Sequence, residues 1–279
     1  MGVYAWCQVL GLLSAVVLGT YMSAQRGLAV RSAVLALLFG AAGALIGGRL
    51  AKALGDVPAI LREPGLLFQF SISGFDLLGA MLGAAAAAAF AARWSGLRLL
   101  DLADSSAPGL GLAIAIQRWG CWSAGCCFGR PSSLPWAVSV EPYSTAHQAQ
   151  MAAGLAPLFG SPLPVHPSQL YELGLALAAG FASLLVWRRG RPGAAFGTFL
   201  ALFFSVKLAL TFTRFPDSAG DPPWVHLALY AVLGFAGLVL IRRAQPPSIP
   251  VHPIPQLPKR PITRMPNRQG RTRTDTEPH

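Results

Sequence analysis

Seven apolar stretches follow one another along this chain, each of about 20 residues, the length that a helix needs to cross the hydrocarbon core of a bilayer. They occupy approximately residues 3–22, 32–51, 77–92, 107–128, 168–187, 194–213 and 224–241. The chain is 53% hydrophobic and only 12% charged, whereas soluble proteins carry roughly a quarter charged residues. The composition therefore excludes a soluble globular enzyme and predicts an all-α integral membrane protein with seven transmembrane helices.

Small residues recur where these helices must meet. The third stretch contains an unbroken alanine run at residues 84–89, and small side chains let membrane helices approach one another closely. We expect tight packing there. Gly120, Gly125 and Gly129, in and after the fourth stretch, predict close approach of the backbone to a neighbouring helix or lipid.

The orientation of the chain follows from its basic residues, because Lys and Arg are enriched in cytoplasmic loops. With the N-terminus outside, the inner side holds Arg26, Arg31, Arg93, Arg98, Arg188, Arg189, Arg191, Arg242 and Arg243, and the outer side Arg49, Lys52, Arg62, Arg130 and Arg214. This distribution predicts a cytoplasmic C-terminus. It also puts the longest connection, residues 129–167 between the fourth and fifth helices, outside as an ordered loop.

The predicted transmembrane domain covers residues 1–243, and residues 244–279 form a disordered, basic, Pro-rich cytoplasmic tail. Residues 242–279 contain eight Lys or Arg and two Asp or Glu, so they carry +6 of the net charge of +11. A basic tail of this kind contacts anionic lipid. No nucleic-acid motif accompanies it, and the sequence predicts no nucleic-acid partner.

Two cations lie inside the apolar stretches. Arg118 falls near the middle of the fourth stretch, where a charge costs about 2.5–3.5 kcal/mol and marks a functional site by default. The alternative is a structural ion pair with Asp76 or Glu172. Lys207 in the sixth stretch shares a helix face with Arg214. The alternative to a functional role is that its long side chain extends its charge to the membrane interface.

A polar segment, residues 166–172, opens the fifth stretch. Gln169 and Glu172 lie one turn apart on the same face, and a carboxylate beside a carboxamide can bind hydroxyl groups or orient a base. His166 precedes this helix and can accept a proton near neutral pH, although a single interfacial histidine can equally be a surface residue. Together with Arg118 and Lys207, these groups suit an anionic phospholipid headgroup.

The four cysteines do not form the paired Cys-x-x-Cys spacing of a common metal site, so the sequence predicts no metal and no cofactor. Cys121, Cys126 and Cys127 are expected to pack as small apolar residues. A Cys121–Cys126 disulfide at an oxidising outer face is the alternative.

At these residues the sequence resembles the prolipoprotein diacylglyceryl transferase family. The motifs that carry the resemblance are Arg118-Trp119-Gly120 with Gly125 and Gly129, then Leu134-Pro135-Trp136, then residues 166–172, and Arg214-x-Pro216-Asp217. The chain also departs from the family pattern. The family's signature Asn and Glu residues are replaced by Cys121, Ala124 and Cys126, and its His-Gly-Gly by approximately Gly74-Phe75-Asp76.

The resemblance implies an enzyme of the bacterial inner membrane that moves diacylglycerol from phosphatidylglycerol to the lipobox cysteine of a preprolipoprotein signal peptide. It implies catalytic roles for His166, Arg118 and Glu172, with Asp76 as a second candidate base. Lipid and headgroup contacts would involve Arg118, Gly129, Gln169, Tyr171, Lys207 and Arg214. Two alternatives remain open: a phospholipid-binding or transport protein without catalysis, and a transferase of the same fold with another acceptor.

Overall fold

The computed structural model describes residues 2–55, 57–62, 65, 77–157, 160–215 and 223–244, and this part of the chain is helical with three isolated β-bridges. The helices are α1 (Gly2–Gln25), α2 (Val30–Gly55), α3 (Val57–Arg62), α4 (Leu77–Trp94), α5 (Leu99–Ser123), α6 (Thr145–Ala152), α7 (Ser168–Trp187), α8 (Ala194–Leu210) and α9 (Pro223–Arg243). A 3₁₀ turn, Thr211–Thr213, follows α8. Six helices of the described residues are long and apolar enough to cross a membrane, so the prediction of an all-α integral membrane protein is confirmed.

Helices α2 and α4 form an antiparallel pair packed through small residues. A Cβ atom added to Gly43 would fall against the backbone oxygen of Gly83, and one added to Gly40 would lie 3.2 Å from the Cβ atom of Ala88. Association in lipid depends on close van der Waals contact of this kind. The tight packing predicted for the alanine run is therefore confirmed.

Helix α5 lies between α1 and α7, and it also contacts α8. Close contacts again involve glycine: Gly111 meets Gly180 of α7, and Gly120 meets the Cβ atom of Cys7 in α1. These contacts confirm the role expected for Gly120. Between α8 and α9, aromatic rings in contact, Phe203 edge to face with Phe204 and Phe204 tilted against Tyr230, form part of an apolar core.

Buried charged residues connect the end of α1 with the start of α5. The predicted start of α5 is wrong. Helix α5 begins at Leu99 rather than near residue 107, with Asp101 and Asp104 buried in its first turns. Arg26, which follows α1, lies 3.3 Å from Asp101 and 3.1 Å from Asp104. Because Arg26 pairs with both carboxylates and Arg98 lies 2.6 Å from Asp101, the two carboxylates are accommodated inside the helix instead of ending it.

Asp104 also caps another helix. Its two oxygens accept hydrogen bonds from the backbone N–H groups of Gly193 and Phe196, both at 2.8 Å. The first turn of a helix has N–H groups without helical partners and a positive end of the dipole. A carboxylate of α5 therefore satisfies the start of α8, while Arg26 also donates to the backbone oxygen of Trp187 at the end of α7.

The other end of α5 also differs from the sequence expectation. The helix stops at Ser123 rather than near residue 128, because Gly125 adopts a left-handed backbone with φ +65°. No described protein atom lies within 4 Å of a Cβ atom built on Gly125, so Gly125 makes no close approach to a neighbouring helix there, and the close approach to lipid stays a prediction. Arg118 consequently lies five residues before the helix end rather than in the middle of the span.

Candidate functional site

The site begins with the loop that follows α5, which connects the start of α7 to the end of α8. Gly129 donates its backbone N–H to the oxygen of His166 at 3.0 Å, and Arg130 donates to the oxygen of Thr213 at 2.9 Å. A Cβ atom on Gly129 would overlap His166 and lie 2.8 Å from the Thr213 oxygen. Only glycine fits here, so Gly129 brings three helix ends together.

Three basic side chains converge on one carboxylate at this end of the bundle. Arg118 Nε lies 2.8 Å from Glu172 Oε2, and Lys207 Nζ lies 2.6 Å from the same oxygen. Arg214 Nη1 lies 3.9 Å from Oε1. The side chains are 11%, 4% and 22% exposed for Arg118, Lys207 and Arg214, and 5% for Glu172. These four residues, the ionic cluster, carry three positive charges and one negative charge.

The ionic cluster tests the two alternatives to a functional role: a structural ion pair for Arg118 and extension to the membrane interface for Lys207. Arg118 does pair with another helix, through Glu172, but it shares that carboxylate with two further cations. Lys207 is buried against Glu172 and lies 5.6 Å from the centre of the Tyr230 ring, rather than reaching out to the interface. Within the part of the chain that the structure describes, the four residues of the cluster have more positive than negative charge in a poorly hydrated place, which favours an anionic ligand.

Residues at the start of α7 hold the loop against this cluster. Gln169 Nε2 donates to the backbone oxygen of Cys126 at 2.7 Å, and Ser168 Oγ donates to that of Cys127 at 2.8 Å. Both side chains are buried. Gln169 thus shares the helix face of Glu172, as the sequence predicts, with its amide group used to position the loop.

His166 and Tyr171 form a second polar group beside the loop. His166 Nδ1 lies 3.3 Å from the Tyr171 hydroxyl, which also accepts a hydrogen bond from Trp136 Nε1 at 2.7 Å. The two rings meet edge to face. This arrangement fixes the half-buried His166 side chain on the same stretch of backbone that Gly129 contacts.

The outer loop is ordered around residues that the sequence does not single out. Gln150 is fully buried in the loop, and its amide group exchanges two hydrogen bonds of 2.9 Å with the backbone of Leu163. His147, in α6 of the same loop, is 1% exposed and accepts a hydrogen bond from the backbone N–H of Tyr143. The loop is therefore ordered around buried polar side chains.

The three cysteines near the end of α5 also come together. The sulfur atoms of Cys121, Cys126 and Cys127 all lie within 4.8 Å of one another, and all three thiols are free. Arg118 Nη1 lies 3.9 Å from Cys121 Sγ. The sequence signal of this clustering is the spacing Cys-x₄-Cys-Cys, which begins three residues after Arg118.

Asp76, Pro216 and Asp217 lie outside the described residues, as does the segment that replaces the family's His-Gly-Gly. The tail from residue 245 onward lies outside them too.

A helical bundle with a charged, largely buried cluster at one end defines an integral membrane protein with a polar site. Residues 1–252 match the family model described as prolipoprotein diacylglyceryl transferase. The chain belongs to this family, and it is a transferase.

Curated relatives carry the name phosphatidylglycerol–prolipoprotein diacylglyceryl transferase. The protein of Paenarthrobacter aurescens is 29% identical over 265 residues, covering 88% of this chain and 79% of the relative. That of Frankia alni is 32% identical over 260 residues, covering 88% and 64%. That of Bordetella parapertussis is 33% identical over 223 residues, covering 76% and 78%.

Proposed function

We propose that this chain transfers diacylglycerol from phosphatidylglycerol to the lipobox cysteine of a preprolipoprotein signal peptide. The observation that carries the proposal is the ionic cluster: among the described residues, three cations surround the carboxylate of Glu172, largely buried where the end of α5, the start of α7 and the end of α8 meet. Such a site suits a lipid phosphate that must be held and then released as an anion. The names of the relatives supply the substrates.

In the proposed reaction the thiolate sulfur of the acceptor attacks the glyceryl carbon that bears the phosphate. A carbon–sulfur bond forms, the carbon–oxygen bond breaks, and glycerol phosphate leaves with the electron pair. Arg118 holds the phosphate through its planar guanidinium group, and Lys207 and Arg214 add positive charge. Fixed cations in a poorly hydrated site stabilise the charge that develops on the leaving group.

Glu172 keeps the cations in place. Without it, three like charges in one buried site would repel one another, and each would lack a partner. Glu172 therefore acts by orienting Arg118 and Lys207 toward the lipid.

His166 is the proposed base that takes the proton of the acceptor thiol. Tyr171 orients its ring, and Gly129 sets the position of its backbone. Gln169 supports the same loop through Cys126. The headgroup would then lie between this loop and the ionic cluster.

The proposed topology has seven spans, with the N-terminus outside and the site in the outer half of the bacterial inner membrane. The end of α5, the start of α7 and the end of α8 lie at the ionic cluster. The opposite ends of the same three helices lie near Arg26. The Arg26 end has more basic residues, including Arg188, Arg189 and Arg191, as expected of a cytoplasmic side. Phosphatidylglycerol in the outer leaflet then reaches the site laterally, through membrane lipid.

The experiment is rescue of a bacterial strain depleted of its own diacylglyceryl transferase. We expect growth with this gene, and a prolipoprotein whose mass has increased by one diacylglyceryl group. The Arg118→Ala variant, produced in equal amount, should give neither result. Binding of phosphatidylglycerol without transfer to any lipobox peptide would contradict the proposal and indicate a phospholipid-binding protein. Transfer to a different acceptor would keep the chemistry and overturn the substrate.

A further inference from the structure

The cysteine triad, Cys121, Cys126 and Cys127, lies beside the ionic cluster and has no role in the chemistry described so far. Its sulfur atoms come from the end of α5 and from the loop after it, all within 4.8 Å of one another. Three sulfurs bound to one tetrahedral zinc at about 2.3 Å would lie about 3.8 Å apart. The observed spacing therefore fits three ligands of a single metal ion with small side-chain adjustments.

The backbone of the triad is held by several independent contacts. Cys126 donates its N–H to the oxygen of Cys121 at 3.1 Å, and Gln169 and Ser168 bind the oxygens of Cys126 and Cys127. Cys127 itself has a left-handed φ of +58°, a conformation that non-glycine residues adopt rarely. In this turn two adjacent thiols, Cys126 and Cys127, come together with that of Cys121.

We propose that the cysteine triad binds one zinc ion and leaves its fourth position open for the thiol of the acceptor. Among the described residues, no other His, Cys, Asp or Glu joins the group, and an open position distinguishes reactive zinc sites from closed structural ones. Cys126 and Cys127 are half-buried rather than enclosed, so an incoming thiol can reach the metal. The sequence predicted no metal here, because the spacing differs from that of paired Cys-x-x-Cys sites.

The charges of the two groups are complementary. Zinc with three thiolates carries a formal charge of −1, and the ionic cluster beside it has more positive than negative charge. Arg118 connects them, since it lies 2.8 Å from Glu172 and 3.9 Å from Cys121 Sγ. An anionic metal site and the phosphate of the lipid can therefore occupy opposite sides of Arg118.

The proposed role of the metal rests on the transfer to a cysteine thiol given above, although the metal site itself does not. A thiol that coordinates zinc loses its proton outright, and here His166 or water accepts that proton. The bound sulfur then forms its bond to the glyceryl carbon as glycerol phosphate leaves with the electron pair. Zinc keeps its oxidation state, so no oxidant or reductant is needed.

The test uses the full chain, purified in detergent under reducing conditions, supplied with Zn²⁺ and dialysed. Metal analysis should give one zinc per chain for the wild type, and little for Cys126→Ser and Cys127→Ser. The matched control is Cys7→Ala, which removes the sulfur of the chain's remaining cysteine. Cys7 lies in α1, where it contacts Gly120 of α5, and this variant should keep the zinc.

A second measurement is independent of the variants and of their folding. Wild-type chain loaded with Co²⁺ should show a thiolate-to-cobalt charge-transfer band in the near ultraviolet. A lipobox peptide with its cysteine should change that spectrum, and the same peptide with serine in that position should not. An unchanged spectrum with the cysteine peptide would overturn the role of the fourth position.

Wild-type protein without zinc or a cobalt band would overturn the metal site, as would an intact mass showing a disulfide within the triad in membranes alkylated before any reductant is added. A transfer assay on the same sample separates the two proposals. Transfer without metal would contradict the zinc site alone, and bound zinc without transfer would contradict the proposed function alone.

Discussion

Among the described residues, one carboxylate, Glu172, holds three basic side chains together in the site. Arg118 is the more buried of the two arginines, and its guanidinium can bind phosphate with two parallel hydrogen bonds. Arg118→Lys keeps the charge and loses the planar guanidinium. We expect transfer to fall on the order of a hundredfold or more, comparable to loss of one donor from a preorganised anion site. The measurement is the rate of diacylglycerol transfer in membranes that contain equal amounts of protein.

The control for this variant is Arg98→Lys, because the Arg98 side chain is 63% exposed and pairs with Asp101 at the other end of α5. It should keep the wild-type rate. Full activity of Arg118→Lys would reduce Arg118 to a point charge and contradict its assigned role.

His166 is the residue whose role the structure constrains through its neighbours Tyr171 and Gly129. His166→Gln keeps a hydrogen-bonding side chain but cannot accept the thiol proton at neutral pH. We expect the transfer rate to fall about a hundredfold or more, as for loss of a general base, with little change in phosphatidylglycerol binding. An unchanged rate would mean that His166 only supports the start of α7, and would move attention to Asp76 or Glu172.

At the scale of helices, the Arg26 end of the bundle depends on Asp104, which is fully buried and caps α8. Asp104→Ala removes the cap and a partner of Arg26, so we expect a loss of about 3–5 kcal/mol of stability, typical of breaking a buried ion pair. The measurement is thermal unfolding of the purified chain in detergent. Arg98→Ala, which removes a largely exposed partner of Asp101, should change the unfolding temperature little, and equal effects of the two variants would contradict the role of Asp104.

Hydropathy and length were enough to predict most of the helices: α7, for example, was expected at residues 168–187 and is found at Ser168–Trp187. The limits of α5 could not be predicted, because hydropathy treats Asp101 and Asp104 as charges to be kept out of lipid. Their partner Arg26 and the start of α8 are distant in sequence. Tertiary pairing therefore decided this boundary.

The candidate site was predictable to a similar extent. Charges inside apolar stretches pointed to Arg118 and Lys207, and helix spacing placed Gln169 beside Glu172. The sharing of Glu172 by three cations was not predictable, because it depends on how α5, α7 and α8 pack. The cysteine triad was missed for a related reason: its sulfurs meet through the left-handed turn at Gly125 and Cys127.

At the scale of the whole molecule, the proposed orientation can be tested with reporters. A reporter that is active only in the cytoplasm should be active when fused after Arg243 and inactive when fused at Ser144, in the outer loop. The expectation follows from the excess of basic residues at the Arg26 end of the helices. The reversed pattern would put the ionic cluster in the inner leaflet and contradict the proposed route of the lipid.

The contacts of Asp104 also set an order for assembly during translation. Arg26 is synthesised before Asp101 and Asp104, so a counter-charge from α1 is already in the membrane when α5 is inserted. Gly193 and Phe196 donate backbone hydrogen bonds to Asp104, and they are synthesised 89 and 92 residues after Asp104. A chain released before α8 has been made would therefore keep the α1–α5 pair but leave Asp104 without its backbone donors, and would offer membrane quality control an incompletely satisfied buried carboxylate.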